Sequence, residues 1–123
     1  MELSQLTPKL TVCPQIMPQD VEALKARGFR AIICNRPDGE EPGQPDFEAI
    51  DSAAQAAGLV ARYIPITGGM ISDADVSDFG KALEDLPGPI LAYCRSGRRS
   101  SILWSLVEEQ NRLRVGEPRA GGF

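Results

Sequence analysis

An apolar run from Ile90 to Tyr93 breaks at Cys94, and the chain then reads Arg95-Ser96-Gly97-Arg98-Arg99 before two serines and a long amphipathic stretch. The order is strand, thiol, short arginine- and glycine-rich loop, helix, and it constrains the fold more than any other segment. So short a loop aims its backbone N–H groups and the first helical turn at one spot, where the helix dipole adds partial positive charge. The same field favours thiolate over thiol. Gathering three arginines at a buried strand end is costly unless an anion joins them. Cys94 is therefore read as a nucleophile at the mouth of an anion site. Cys13 and Cys34 lack such neighbours and are read as inert core thiols.

The other apolar runs alternate with helical patterns. Leu10–Cys13, Ala31–Cys34 and Leu59–Ile66 read as strands beside Ile90–Tyr93. Met17-Pro18 opens a helix with Val21, Leu24 and Lys25 at helical spacing, and Gly28 stops it. A loop rich in proline, glycine and acid runs from Arg36 to Pro45. Pro45 or Asp46 then starts a helix whose inner face is Phe47, Ile50, Ala54 and Ala57, ended by Gly58. After a turn at Thr67-Gly68-Gly69, Ser72 to Asp75 resembles a capping box. That helix turns Val76, Phe79, Leu83 and Leu86 inward and stops at Pro87-Gly88-Pro89. The last helix is read from Ser100 to Leu113.

Strands alternating with helices predict an α/β fold: a mainly parallel sheet in three layers, with helices on both faces. Residues 1–114 form a single domain, and residues 115–123, with three glycines and a proline, read as a frayed tail. In such sheets ligands sit beyond the carboxyl ends of the strands. Cys94, Asn35-Arg36 and Thr67-Gly68 all follow strand ends and should converge there.

Composition removes whole classes of chemistry. The chain has no histidine, which excludes Ser-His-Asp and Cys-His catalysis and any histidine-ligated metal. No metal or other cofactor is expected. A net charge of −4 argues against nonspecific nucleic-acid binding. No apolar run is long enough to span a bilayer. Met1-Glu2-Leu3-Ser4 lacks a basic start followed by an apolar stretch, so no secretory leader is expected. Three cysteines without framework spacing suit a reducing cytoplasm.

Tyr-Cys-Arg-Ser-Gly-Arg-Arg-Ser, at 93–100, resembles the active-site loop of cysteine-dependent phosphatases and rhodaneses. Over about residues 4–110 the chain resembles the phosphatase-like domain of β-lactamase-hydrolase-like proteins, whose members include sulfurtransferases. Three more stretches carry this likeness: Leu6-Thr7-Pro8 through Pro14-Gln15-Ile16, Asn35-Arg36-Pro37-Asp38-Gly39-Glu40, and Ile64-Pro65-Ile66. The resemblance implies a fold of the dual-specificity phosphatase type. It makes Cys94 the nucleophile and Arg99 the guanidinium that forks onto a substrate oxyanion. It places Ser100 where related loops hydrogen-bond the thiolate, although Ser100 also suits a helix N-cap. Gly97 lets the loop curl, Ser96 lies within its ring of N–H groups, and Arg95 and Arg98 stand at the rim. Arg36 either belongs to an ordinary Pro-Asp-Gly turn or adds a second cation to the site.

Two chemistries compete for this loop. Four residues separate Cys94 from Arg99, the rhodanese-type spacing, whereas tyrosine-phosphatase-type loops have five. The segment after Ile64-Pro65-Ile66 supplies no carboxylic acid to protonate a leaving alcohol, and Asp73 and Asp75 read as helix-start residues. Both points favour a sulfurtransferase that carries sulfane sulfur as a Cys94 persulfide, with thiosulfate or a persulfide as substrate. The alternative is a phosphatase acting on a phosphate ester through a Cys94 phosphocysteine. An anion-binding or redox-sensing module without efficient turnover is the third reading. By resemblance, partners would be a persulfide dioxygenase or a sulfide:quinone oxidoreductase.

Overall fold

The computed structural model describes residues 1–67 and 69–114, Arg114 by its backbone only. The tail at 115–123 and Gly68 of the predicted turn lie outside the described residues. Five strands form one sheet: β1 (Ser4–Gln5), β2 (Leu10–Cys13), β3 (Ala31–Cys34), β4 (Val60–Tyr63) and β5 (Ile90–Tyr93). Their order is β1-β2-β5-β3-β4, with β1 antiparallel to β2 and the other neighbours parallel. Four α-helices join them: α1 (Val21–Ala26), α2 (Phe47–Ala57), α3 (Asp73–Asp85) and α4 (Arg98–Arg114). No helix among the described residues is long and apolar enough to cross a membrane.

Alternation along the buried strands divides the core into two. Leu10, Val12, Ala31, Ile33, Ile90 and Ala92 face α3 and α4, meeting Val76, Phe79, Leu103 and Val107. Cys13, Ile32, Cys34, Leu91 and Tyr93 face α1 and α2, meeting Leu24, Ile50 and Ala54. The three-layer arrangement expected from the sequence follows. Gly58 ends α2 with φ +84, the left-handed conformation that glycine adopts without a Cβ penalty. Ser72 caps α3 as predicted: its hydroxyl accepts the Asp75 N–H at 3.1 Å and Asp75 accepts the Ser72 N–H at 2.9 Å.

Several boundaries differ from the sequence reading. The predicted strand over 59–66 pairs in register only at Val60–Tyr63, because its neighbour β3 ends at Cys34. Beyond that point Ile64 N–H and Ile66 N–H still donate to the carbonyls of Cys34 and Asn35, each at 2.9 Å. The Pro18 segment is a short 3₁₀ turn ahead of α1. Ala82 occupies the buried position on α3 while Leu83 is only half-buried. Strand β1 carries no apolar alternation and gave no signal. Helix α4 starts at Arg98, two residues ahead of the predicted Ser100.

Register levels the strands for function. Cys13 and Cys34 both pair with Tyr93, and Cys34 pairs with Tyr63. The residues that follow, Pro14, Asn35, Ile64 and Cys94, therefore leave the sheet together at its carboxyl end.

Candidate active site

Cys94 leaves β5 fully buried, at the base of a loop that curls back over it. The Gly97 N–H donates to Cys94 Sγ at 3.1 Å. Gly97 reaches that position with φ +91, and a Cβ there would lie 3.3 Å from the Cys13 carbonyl carbon. Only glycine meets both demands. The loop is tied to the sheet end by Gln15 N–H, which donates to the Arg95 carbonyl at 3.2 Å. The Ser96 hydroxyl accepts the Arg98 N–H at 3.3 Å, so the first turn of α4 is satisfied from within the loop.

Ser100 does neither of the things its sequence position suggested. It is the third residue of α4 and not its N-cap. Its hydroxyl, fully buried, donates to Asn35 Oδ1 at 2.8 Å and not to the thiol. Asn35 Nδ2 in turn donates to the Ile64 carbonyl at 2.9 Å, and the Asn35 N–H donates to the Tyr93 carbonyl at 2.8 Å. This one buried residue, through its side-chain amide and its backbone N–H, joins the ends of β3 and β5, the segment after β4 and the start of α4. Among the described residues it is the centre of the site's scaffold, although the sequence reading gave it no role.

Arg99 points across the cleft to Glu40. Its Nη1 and Nη2 donate to the two Glu40 oxygens at 2.8 and 2.9 Å, and Nη1 also donates to the Ile66 carbonyl at 2.9 Å. A guanidinium has five N–H groups. Three are engaged here, leaving Nε–H and one Nη2–H, which together form the side edge of the fork. Hydrogen bonding to Glu40 is the largest cause raising the pKa of Arg99, and the neighbouring Cys94 adds to it. Reciprocally, Arg99 first and Arg36 next pull Glu40 down from 4.5 to about 2. Glu40 is an anion throughout the neutral range and not a proton donor.

Arg36 is a buried member of the same cluster, with only 4% of its side chain exposed. It donates through Nε to Glu40 at 2.9 Å, through Nη2 to Glu41 at 2.6 Å and through Nη1 to Gln15 Oε1 at 3.0 Å. Glu41 also meets Arg95 Nε at 2.9 Å. Gly39 turns with φ +79, as the Pro-Asp-Gly reading expects, and Arg36 lines the cleft with its guanidinium paired to Glu40 and Glu41. Asp38 contributes locally, accepting the Phe47 N–H at the start of α2 at 2.8 Å.

The result is a cleft of about 620 Å³ whose walls include Arg36, Glu40, Glu41, Arg95, Arg98 and Arg99, with Ser96 at the loop. The structure brings every sequence-predicted site residue to this end of the sheet, with Ser100 beneath it as scaffold. The other two thiols are buried as expected. Cys13 is the one beside the loop: burial foremost, and then Cys94, push it up to about 12. Cys34 lies under Arg36, its thiol donating to the Arg36 carbonyl at 3.2 Å, and burial raises its pKa. Tyr93 packs between them on the same face, and its buried hydroxyl has no well-formed hydrogen-bond partner among the described residues.

Comparison with known proteins identifies this architecture. A model of the "Beta-lactamase hydrolase-like protein, phosphatase-like domain" family matches residues 2–111. The chain belongs to that family. The β-lactamase hydrolase-like protein of Agrobacterium fabrum is 41% identical over 108 residues, covering 88% of this chain and 25% of that protein. The chain thus spans about a quarter of the length of the curated relatives it matches. A crystal structure of a candidate phosphatase from Neisseria meningitidis superposes with a TM-score of 0.82 at 37% identity, covering 96% of this chain and 81% of that one. The catalytic core of the phosphatase Siw14 from S. cerevisiae, 16% identical, shares the fold at a TM-score of 0.64 over 96% of this chain and 77% of that one. The cysteine-phosphatase fold expected from the sequence is present. The likeness supports an enzyme of the phosphatase type, the second of the two chemistries weighed above, and gives no support to the rhodanese detail.

Proposed function

We propose that this domain is a cysteine-dependent phosphatase acting on a small phosphate ester. The Cys94 thiolate attacks phosphorus and carries the phosphoryl group as phosphocysteine, which water then releases. Loop N–H groups and the Nε and Nη2 donors of Arg99 hold the equatorial oxygens, a bidentate contact that a lysine could not make. Gly97 keeps the ring curled, and Arg95, Ser96 and Arg98 form its outer rim, drawing the anion in. The reading rests on one observation above the others: Glu40 holds Arg99 end-on through Nη1 and Nη2, and Cys94 lies within reach of the same guanidinium. Preorganised donors of this kind stabilise charge that develops in a transition state.

Sulfur transfer is the second reading, favoured by the four-residue spacing between Cys94 and Arg99. In that case thiosulfate or a persulfide is the donor, and a persulfide dioxygenase or a sulfide:quinone oxidoreductase is a fitting partner. Three unpaired thiols suit a reducing cytoplasm under either reading. One experiment separates the two. Purified protein is mixed with p-nitrophenyl phosphate or with thiosulfate, quenched, and the Cys94 peptide weighed. A phosphoryl adduct with release of p-nitrophenol supports the phosphatase. A sulfur adduct from thiosulfate, with no turnover of the ester, reverses the order.

A further inference from the structure

The cleft contains cations for more than one phosphoryl group and no acid for a poor leaving group. Its only carboxylates among the described residues are Glu40 and Glu41, and both are held in arginine salt bridges. The segment after β4, Ile64 to Met70, has no ionisable side chain. An alkoxide leaving from a simple alkyl phosphate would depart unprotonated and slowly. Beyond Arg99, a second guanidinium pair stands at the cleft wall. Arg36 Nη2 and Arg95 Nε converge on one carboxylate oxygen of Glu41, at 2.6 and 2.9 Å. Arg36 is fixed by burial, whereas Glu41 is 46% exposed and Arg95 68% exposed. Glu41 thus occupies an anion position that a stronger, more highly charged group can take from it.

We propose that the substrate is a phosphoric anhydride, a terminal diphosphate whose outer phosphoryl group enters the Cys94 loop while its inner phosphate displaces Glu41 from Arg36 and Arg95. This rests on the Cys94 phosphatase chemistry proposed above and puts a phosphate in place of the ester's alcohol as the leaving group. Cys94 sulfur attacks the outer phosphorus, forming an S–P bond as the bridging P–O bond breaks. The electron pair departs with the inner phosphate, an anion stable without a proton from the protein and neutralised by the two guanidiniums. Water then attacks the phosphocysteine, forming a new P–O bond and breaking S–P. Its proton passes to the released phosphate or to solvent, and the thiolate is restored. The absent acid and the second arginine pair both follow from one substrate class.

The test compares inorganic pyrophosphate, phenyl phosphate and p-nitrophenyl phosphate in chelator-containing buffer, with the wild-type chain and with Arg95→Ala. Pyrophosphate is expected to exceed phenyl phosphate in kcat/KM by about tenfold or more. Arg95→Ala should lower the ratio of pyrophosphate to p-nitrophenyl phosphate efficiency by about fivefold or more, since only the anhydride has an inner phosphate to lose that contact. Equal or better turnover of phenyl phosphate, or an unchanged ratio in Arg95→Ala, overturns the anhydride while leaving the phosphatase in place. No turnover of p-nitrophenyl phosphate by the wild type overturns both.

Discussion

The Ser100 hydroxyl and the Asn35 side-chain carbonyl meet at 2.8 Å with both residues fully shielded from solvent. They lie 65 positions apart in the chain, so this bond fixes the start of α4, and hence Arg99, against the end of β3. A buried acceptor deprived of its donor costs about 1–3 kcal/mol. Ser100→Ala should lose stability in that range. The Ser100→Ala/Asn35→Ala double variant should lose less than the sum of the single losses, because the two side chains share one bond. Urea melts of the four proteins provide the cycle; additive losses would mean that the bond does not couple them.

Cys94→Ser should retain the fold and lose turnover, because a serine hydroxyl at this site is not an anion at neutral pH. Cys13→Ser and Cys34→Ser should keep the reaction and lose stability, since each buries a hydroxyl in an apolar layer. Steady-state kinetics beside circular dichroism distinguish the two outcomes. Turnover in a folded Cys94→Ser protein would assign the chemistry to another group.

Arg99→Lys keeps a charge but cannot hold Glu40 end-on and an anion side-on at once. Catalytic efficiency should fall by about a hundredfold or more. Arg98→Lys, at an exposed position, should cost much less. Equal losses at the two positions would mean that the anion-binding arginine is misassigned.

Glu40 couples the clamp to pH. Its carboxyl is lower in the folded protein than in the unfolded chain, so its contribution to stability is complete above the unfolded value of 4.5 and is lost as pH falls through about 2. Denaturant midpoints measured from about pH 5 down to about pH 2 should drop more steeply in the wild type than in Glu40→Gln. Parallel curves would show that the carboxylate contributes nothing to folding.

Gly97→Ala combines a left-handed backbone with a close approach to Cys13. The conformation alone costs a residue with a Cβ about 1–2 kcal/mol. The variant should be less stable and should lose activity more than stability, because opening the curl takes the Gly97 N–H away from Cys94 Sγ. Thermal melts and kinetics on the same preparation check this. A fully active Gly97→Ala would show that the curl is dispensable.

What could be read in the residues, and what could not, divides on physical lines. Leu10–Cys13, Ala31–Cys34 and Ile90–Tyr93 were legible to the residue because short, largely apolar runs near glycine and proline breaks leave little freedom for a buried strand. The start of α4 was not. Its first two residues are arginines, which the helix dipole disfavours, and the apolar period begins only at Ile102. Glu40 and Asn35 were visible as letters of a motif, but their roles depend on contacts 59 and 65 positions away, which local patterns do not encode. The same holds for Glu41 and its bond to Arg95.

Helix α4 begins in the catalytic loop and runs for 17 residues, about 25 Å at 1.5 Å per residue. Its far end therefore stands a full helix length from Cys94. A further domain attached there would leave the cradle's mouth unobstructed. In relatives about four times as long, any length carried beyond that helix end would not crowd the loop at Cys94.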